Sequence, residues 1–138
     1  MKNEAKIQTI VLLATLVFFL VTMGFICYGV ITPKMRINAE RVQITGLYGD
    51  KINISDITEV KLVNQIPKVL ARTNGLGPGY PRKGYFTLED FGTTKLFLES
   101  GKPPFLIIER QEGEKIILNY KEKGLTEKYY SELIDVMR

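Results

Sequence analysis

The chain has 138 residues, 45% hydrophobic and 25% charged, with 19 Lys and Arg against 15 Asp and Glu and a net charge of +4. That apolar fraction excludes a disordered chain, and the single cysteine excludes a disulfide scaffold and a thiolate zinc site. The absence of histidine excludes histidine-based triads, imidazole metal sites and histidine pH switches.

Lys6 and Lys34 bracket 27 uncharged residues, Ile7–Pro33, of which 19 are apolar. At 1.5 Å rise per residue, ~20 residues cross a ~30 Å hydrocarbon layer. The sequence therefore predicts a short tail over 1–6 and a transmembrane helix over 7–32, stopped by Pro33, with Tyr28 suited to the interface. A cleaved signal peptide wants a shorter apolar region and a small-x-small site, where this chain reads Gly29-Val30-Ile31-Thr32-Pro33. A lipoprotein reading at Cys27 meets Ile26 in place of the small residue, and a buried core helix wants a polar face. Lys2 and Lys6 before the helix, against Lys34, Arg36 and Arg41 after it, leave the charge rule undecided. A short Lys-bearing tail is similar to an uncleaved export signal and inclines the reading to an extracytoplasmic C-terminal domain. Gln8, Thr15, Thr22 and Gly29 recur every seven residues, a stripe of small or polar groups. Thr15, Thr22 and Gly29 are thus candidates for helix association, including a homo-oligomer; the plainer reading is that threonine is common in such helices.

Residues 33–40 read as a linker, nine residues from Thr32 to Glu40 being enough to hold the C-terminal domain within ~30 Å of a bilayer. From 41 to 138, short apolar runs alternate with turn signals. Strands are predicted over Arg41–Gly46, Lys51–Ile54, Glu59–Val63, Val69–Thr73, Gly84–Leu88, Thr94–Glu99, Phe105–Glu109 and Lys115–Asn119. Tyr48-Gly49-Asp50, Asp90-Phe91-Gly92, Ser100-Gly101-Lys102-Pro103 and Glu112-Gly113-Glu114 read as hairpin turns. A final helix opens at Thr126 as N-cap with Glu127 in its first turn, and Tyr129, Leu133 and Met137 form an apolar stripe beside Tyr130 and Ile134. The fold class expected is mainly β: an N-terminal transmembrane helix, then a small β-barrel or sandwich with one C-terminal α-helix on an open end.

The block Arg72-Thr73-Asn74-Gly75-Leu76-Gly77, then Gly79 and Gly84-Tyr85-Phe86, resembles the R-x-N-G…G-x-F pattern of a bacterial pleckstrin-homology-like family. Ile66-Pro67 upstream and the Phe105–Asn119 hairpin downstream fit as well, so the resemblance covers roughly residues 40–135. It implies a pleckstrin-homology-like fold and tethering by N-terminal membrane helices. It implies neither a ligand nor a reaction.

The glycine-rich loop Asn74–Gly84 is the most site-like segment. As a phosphate loop it fails twice: Tyr80 stands where a third glycine is needed, and Tyr85-Phe86 follows Gly84 where Lys and Ser or Thr are needed. A charge reading holds better, since no acid lies between Glu59 and Glu89 while Lys61, Lys68, Arg72, Arg82 and Lys83 do. Arg72, Asn74, Gly75, Gly77, Gly79, Tyr80, Arg82 and Lys83 are the candidate surface for anionic lipid or a partner protein. The competing reading makes these cations a solvated surface and Arg72 a structural support for the loop. Ser55, Ser100 and Ser131 have no histidine to activate them, and no carboxylate cluster suits a metal, so no catalytic residue, metal or cofactor is assigned. Residues 34–138 carry 17 cations and 14 anions without a basic helix, which disfavours nucleic acid. The expectation is a non-catalytic binding or scaffolding module held at a bilayer; the runner-up is a structural subunit assembled through its transmembrane helix.

Overall fold

A computed structural model describes residues 1–138, the side chain of Lys2 excepted, as two compact units, Met1–Ile31 and Thr32–Arg138. The first is one helix, α1 (Lys2–Val30), long and apolar enough to cross a membrane. Its large side chains, from Ile7 and Ile10 through Phe18, Phe19 and Phe25 to Val30, are exposed all round, as suits a helix without a polar face. The helix starts at Lys2, so residues expected as a separate tail form its first turns; it ends as Ile31 turns extended (ψ 128°) ahead of Pro33.

The second unit begins with β1 (Met35–Ile37), β2 (Arg41–Ile44) and β3 (Asp50–Asn53), an antiparallel sheet in that order. β1 lies inside the stretch expected as a linker, and Met35 is core, which leaves four residues, 31–34, between α1 and the first strand. A 3-10 turn (Ile54–Asp56) leads to β4 (Ile57–Val63), β5 (Val69–Leu76), β6 (Arg82–Leu88), β7 (Gly92–Leu98), β8 (Phe105–Arg110) and β9 (Lys115–Asn119). These form one sheet ordered β4-β8-β9-β7-β6-β5, antiparallel except where β7 and β9 run parallel. The chain closes with α2 (Lys123–Met137). Over the whole chain strand and helix are about equally common, so "mainly β" describes the second unit and not the molecule.

The larger sheet is rolled but unclosed. β4 and β5 are its opposite edges and run in the same direction, joined by the five residues Asn64–Lys68. Across a flat sheet with strands ~4.8 Å apart and ~20 Å long, that link would have to span ~30 Å, yet it reaches only ~20 Å. The sheet must curl, and the link crosses its concave face. Val63, Ile66 and Val69 accordingly pack against Phe86, Leu88, Leu96, Leu98, Phe105, Ile107 and Ile117, which line that face. The opposite face presents Val60, Phe97, Leu106, Ile108, Ile116 and Leu118 to the small sheet's Met35, Val42, Ile44 and Ile52 and to Leu133 of α2. Central strands buried on both faces explain the unbroken apolar runs Leu96–Leu98, Leu106–Ile108 and Ile116–Leu118.

Two local expectations are overturned. Ser100–Pro103 is no hairpin: β7 and β8 are not paired, because β9 runs between them. Thr126 is not the N-cap, which is Glu122, and Glu127 lies beyond the first turn. Thr126 is completely buried instead, and its hydroxyl accepts the Tyr120 backbone N–H at 3.0 Å. That bond fixes the β9–α2 corner. α2 packs on β4, β8, β9 and β1 through the stripe anticipated for it: Tyr129, Tyr130, Leu133, Ile134 and Met137 all join the core.

Candidate functional site

The Arg72–Phe86 block is the β5–β6 hairpin, and its glycines have a packing reason. Gly75 pairs with Gly84 across the two strands. A Cβ on Gly75 would fall 2.6 Å from the Lys83 carbonyl oxygen and 3.0 Å from the Phe86 ring. Gly84 has φ +115°, and its Cβ would run into the Asn74 carbonyl. The two glycines let the strands approach closely over Phe86, which is buried. The spacing that suggests a phosphate cradle is thus used by the strand pair itself. Gly84→Ala is expected to cost about 2–3 kcal/mol through left-handed backbone and overpacking. Gly79→Ala, with no atom within 4 Å of its Cβ position, should be near neutral. Thermal unfolding of the full chain in mild detergent, followed by circular dichroism, checks the pair.

The eight residues singled out in this block do not share one surface. Arg72 is exposed on β5. The side-chain oxygen of Asn74 accepts the Tyr48 hydroxyl at 3.1 Å, tying the hairpin to the β2–β3 turn. Gly77 lies against the Pro81 carbonyl, while Gly79 stands in the open. Tyr80 is 45% exposed; one edge of its ring abuts Gly101, and the Arg82 guanidinium stacks 4.9 Å from its centre. Lys83 is a correction: expected to supply surface charge, it is 2% exposed. Period-two alternation turns it, with Tyr85, to the face opposite Phe86 and Leu88. Burial pushes its ammonium below the ordinary lysine value, partly offset by attraction to Glu99. Lys61 is also occupied, 2.6 Å from Glu59 and 3.5 Å from Glu109. Of the five cations in the acid-free stretch, Arg82 remains at the hairpin tip, Arg72 stands four residues back along β5 opposite Phe86, and Lys68 lies at the hairpin's other end.

No known family, characterised protein or solved structure matches this chain. Its site therefore rests on its own geometry. An open depression of about 520 Å³ lies over the β2–β3 hairpin, lined by Gln43–Gly46 and Gly49–Lys51. A more enclosed one of about 180 Å³ lies beside Asp56, Arg110 and Glu112. None of the eight hairpin residues lines either.

Sequence reasoning missed the main polar cluster of the domain. Asp50, at the start of β3, accepts from Lys95 Nζ of β7 at 3.0 Å and from Arg110 Nη1 of β8 at 3.3 Å. Arg110 also reaches Glu114 at 3.1 Å, and Lys95 lies 5.0 Å from the centre of the Tyr85 ring. These contacts link the two sheets. Only the adjacency Gly49-Asp50 at a turn was visible beforehand; its partners are 45 and 60 residues away.

On α1, Thr15 donates to the Val11 carbonyl at 2.8 Å, and Thr22 to those of Phe18 and Phe19 at 3.0 and 2.9 Å. Both hydroxyls are satisfied within their own helix, so neither calls for a second helix. The stripe Thr15, Thr22 and Gly29 keeps only small size as an argument for association.

Proposed function

We propose that the chain is a single-pass membrane protein in which α1 anchors a non-catalytic binding module of pleckstrin-homology-like descent. One observation carries this reading: a helix uncharged from Ile7 to its end at Val30 and apolar around the circumference of that stretch, joined through four residues to a separately packed β-rich unit. Tethering raises the local concentration of such a unit at the membrane, so weak contacts suffice. The non-catalytic reading is supported by the absence of histidine and by where the hydroxyls are engaged. Ser131 donates to the Glu127 carbonyl, and Ser100 holds the β7–β8 turn with Asn119 and Lys102. The family reading is supported by the Arg72–Phe86 pattern, whose glycines and Phe86 serve one strand pair, and by the single closing helix; the parallel β7–β9 pair departs from a simple meander. The Lys-bearing N-terminus inclines the module to the extracytoplasmic side.

The full chain, expressed and extracted from membranes at alkaline pH, should stay in the pellet with Met1 retained in its intact mass. Recovery in the soluble fraction, or a mature chain starting beyond α1, overturns the anchored reading. Protease added to intact cells should remove the second unit; its protection reverses the orientation.

A further inference from the structure

We propose that the tip of the β5–β6 hairpin inserts into the interfacial layer of an anionic bilayer; this rests on the reading of α1 as an anchor. Among the described residues, the exposed large hydrophobic side chains of the second unit are Leu70, Leu76 and Tyr80, and all three lie on this hairpin. Thr73–Pro81 is nine residues without a charge, carries Leu76 at 40% and Tyr80 at 45% exposure, and is flanked by Arg72 and Arg82. The hairpin's own stretch between Glu59 and Glu89 holds no acidic residue, and the half-buried Glu99, which follows the Leu98 paired with Arg82, is engaged by the Lys121 backbone N–H. An uncharged tip, an aromatic with a polar end and cations set just behind it match the layering of a membrane interface: acyl boundary, headgroup level, phosphate. Arg82 stacked on Tyr80 keeps the cation beside the ring, and the contact of that ring with Gly101 holds it on the hairpin's flank.

The same geometry sets the selectivity. Gly75 and Gly84 are closed against each other, and Lys83 is turned inward, so the hairpin has charge and apolar depth but no backbone cradle for one headgroup. Binding then tracks surface charge and not headgroup identity.

Gly79 offers a reporter position, because nothing lies within 4 Å of its Cβ position; Gly124, at the start of α2, offers an equally open control. The full chain carrying Cys27→Ser and Gly79→Cys is labelled with an environment-sensitive fluorophore. It is then reconstituted into phosphatidylcholine vesicles with or without phosphatidylglycerol. The expected result is blue-shifted emission, quenched by lipids with a nitroxide near the headgroup, several-fold more in the anionic vesicles and less at raised salt. Arg72→Glu with Arg82→Glu should lower the quenching several-fold. Replacing phosphatidylglycerol by phosphatidylserine at equal charge should leave it unchanged, and a label at Gly124→Cys should not be quenched. No quenching at position 79, equal quenching at 79 and 124, or a blue shift without quenching (contact with protein instead) overturns the proposal. Alkaline extraction of the same vesicles separates the two readings. Retained but unquenched protein refutes the hairpin insertion alone, and released protein refutes the anchor.

Discussion

Asn119→Leu should unfold the β domain more readily by about 3–5 kcal/mol, although it keeps the Cγ-branched shape of a completely buried side chain. The Asn119 side-chain oxygen accepts the backbone N–H groups of Glu99 and Ser100 at 3.0 and 3.3 Å. Its amide nitrogen donates to the carbonyls of Ser100 and Lys102, each at 2.9 Å, and to the Ser100 hydroxyl at 3.2 Å. One side chain thereby holds the whole turn that carries the chain from β7, past β9, to β8. Leucine takes the partner from the Ser100 N–H and carbonyl, and leaves the Glu99 N–H and the Lys102 carbonyl only longer contacts, 3.4 Å to the Asn119 carbonyl and 3.5 Å to the Ser100 hydroxyl; each group left unpaired costs ~1–3 kcal/mol where water cannot replace the partner. Ser100→Ala removes three longer contacts of one hydroxyl, with the Lys102 carbonyl at 3.5 Å, the Lys102 N–H at 3.3 Å and the Asn119 amide at 3.2 Å, and should cost about 1 kcal/mol. Thermal or urea unfolding of the full chain in mild detergent ranks the two. Equal losses would mean that Asn119 is not what holds the turn.

Asp50→Ala is the second large effect, about 2–4 kcal/mol, because it removes the carboxylate from a part-buried pair and leaves a buried lysine without it. Lys95, 7% exposed at its side chain, would lose its carboxylate. Arg110 is better insured, since it keeps the Glu114 carboxylate at 3.1 Å and the Glu114 carbonyl at 2.8 Å. The damage should therefore trace to Lys95. Asp50→Ala combined with Lys95→Met is expected to be more stable than Asp50→Ala alone, and the same unfolding measurement on the four proteins of the cycle gives the coupling. A double variant that loses the sum of both single losses would assign the stability to something other than this pair.

Local chemistry in the sequence locates most strands to within two or three residues, because alternation and turn residues act over a few positions. Lys115–Asn119 and the apolar stripe of α2 are cases where nothing distant interferes. What fails depends on pairing across the chain. Met35–Ile37 is too short, with Lys34 before it and Arg36 at its centre, to read as a strand until β2 lies beside it. Ser100–Pro103 has the composition of a tight turn, and only the insertion of β9 makes it a crossover. Lys83 looks like one more cation in a basic stretch; which face it occupies is decided by the register of β6 against β7. The glycines of the hairpin stood out in the sequence, but spacing alone does not distinguish room for a ligand from room for a neighbouring strand.

The place of β9 governs the order in which this molecule can be made. Residues 115–119 lie at the centre of the large sheet, with β7 on one side and β8 on the other, yet they are the last strand in the chain. During synthesis β4 and then the β5–β6–β7 meander emerge as fragments, each with an unpaired edge. Parallel pairing with β7 is non-local and slow, so the two fragments must wait for their shared centre. A chain cut between Arg110 and Lys115 keeps β7 and β8 but leaves raw the two edges that β9 joins in the finished protein.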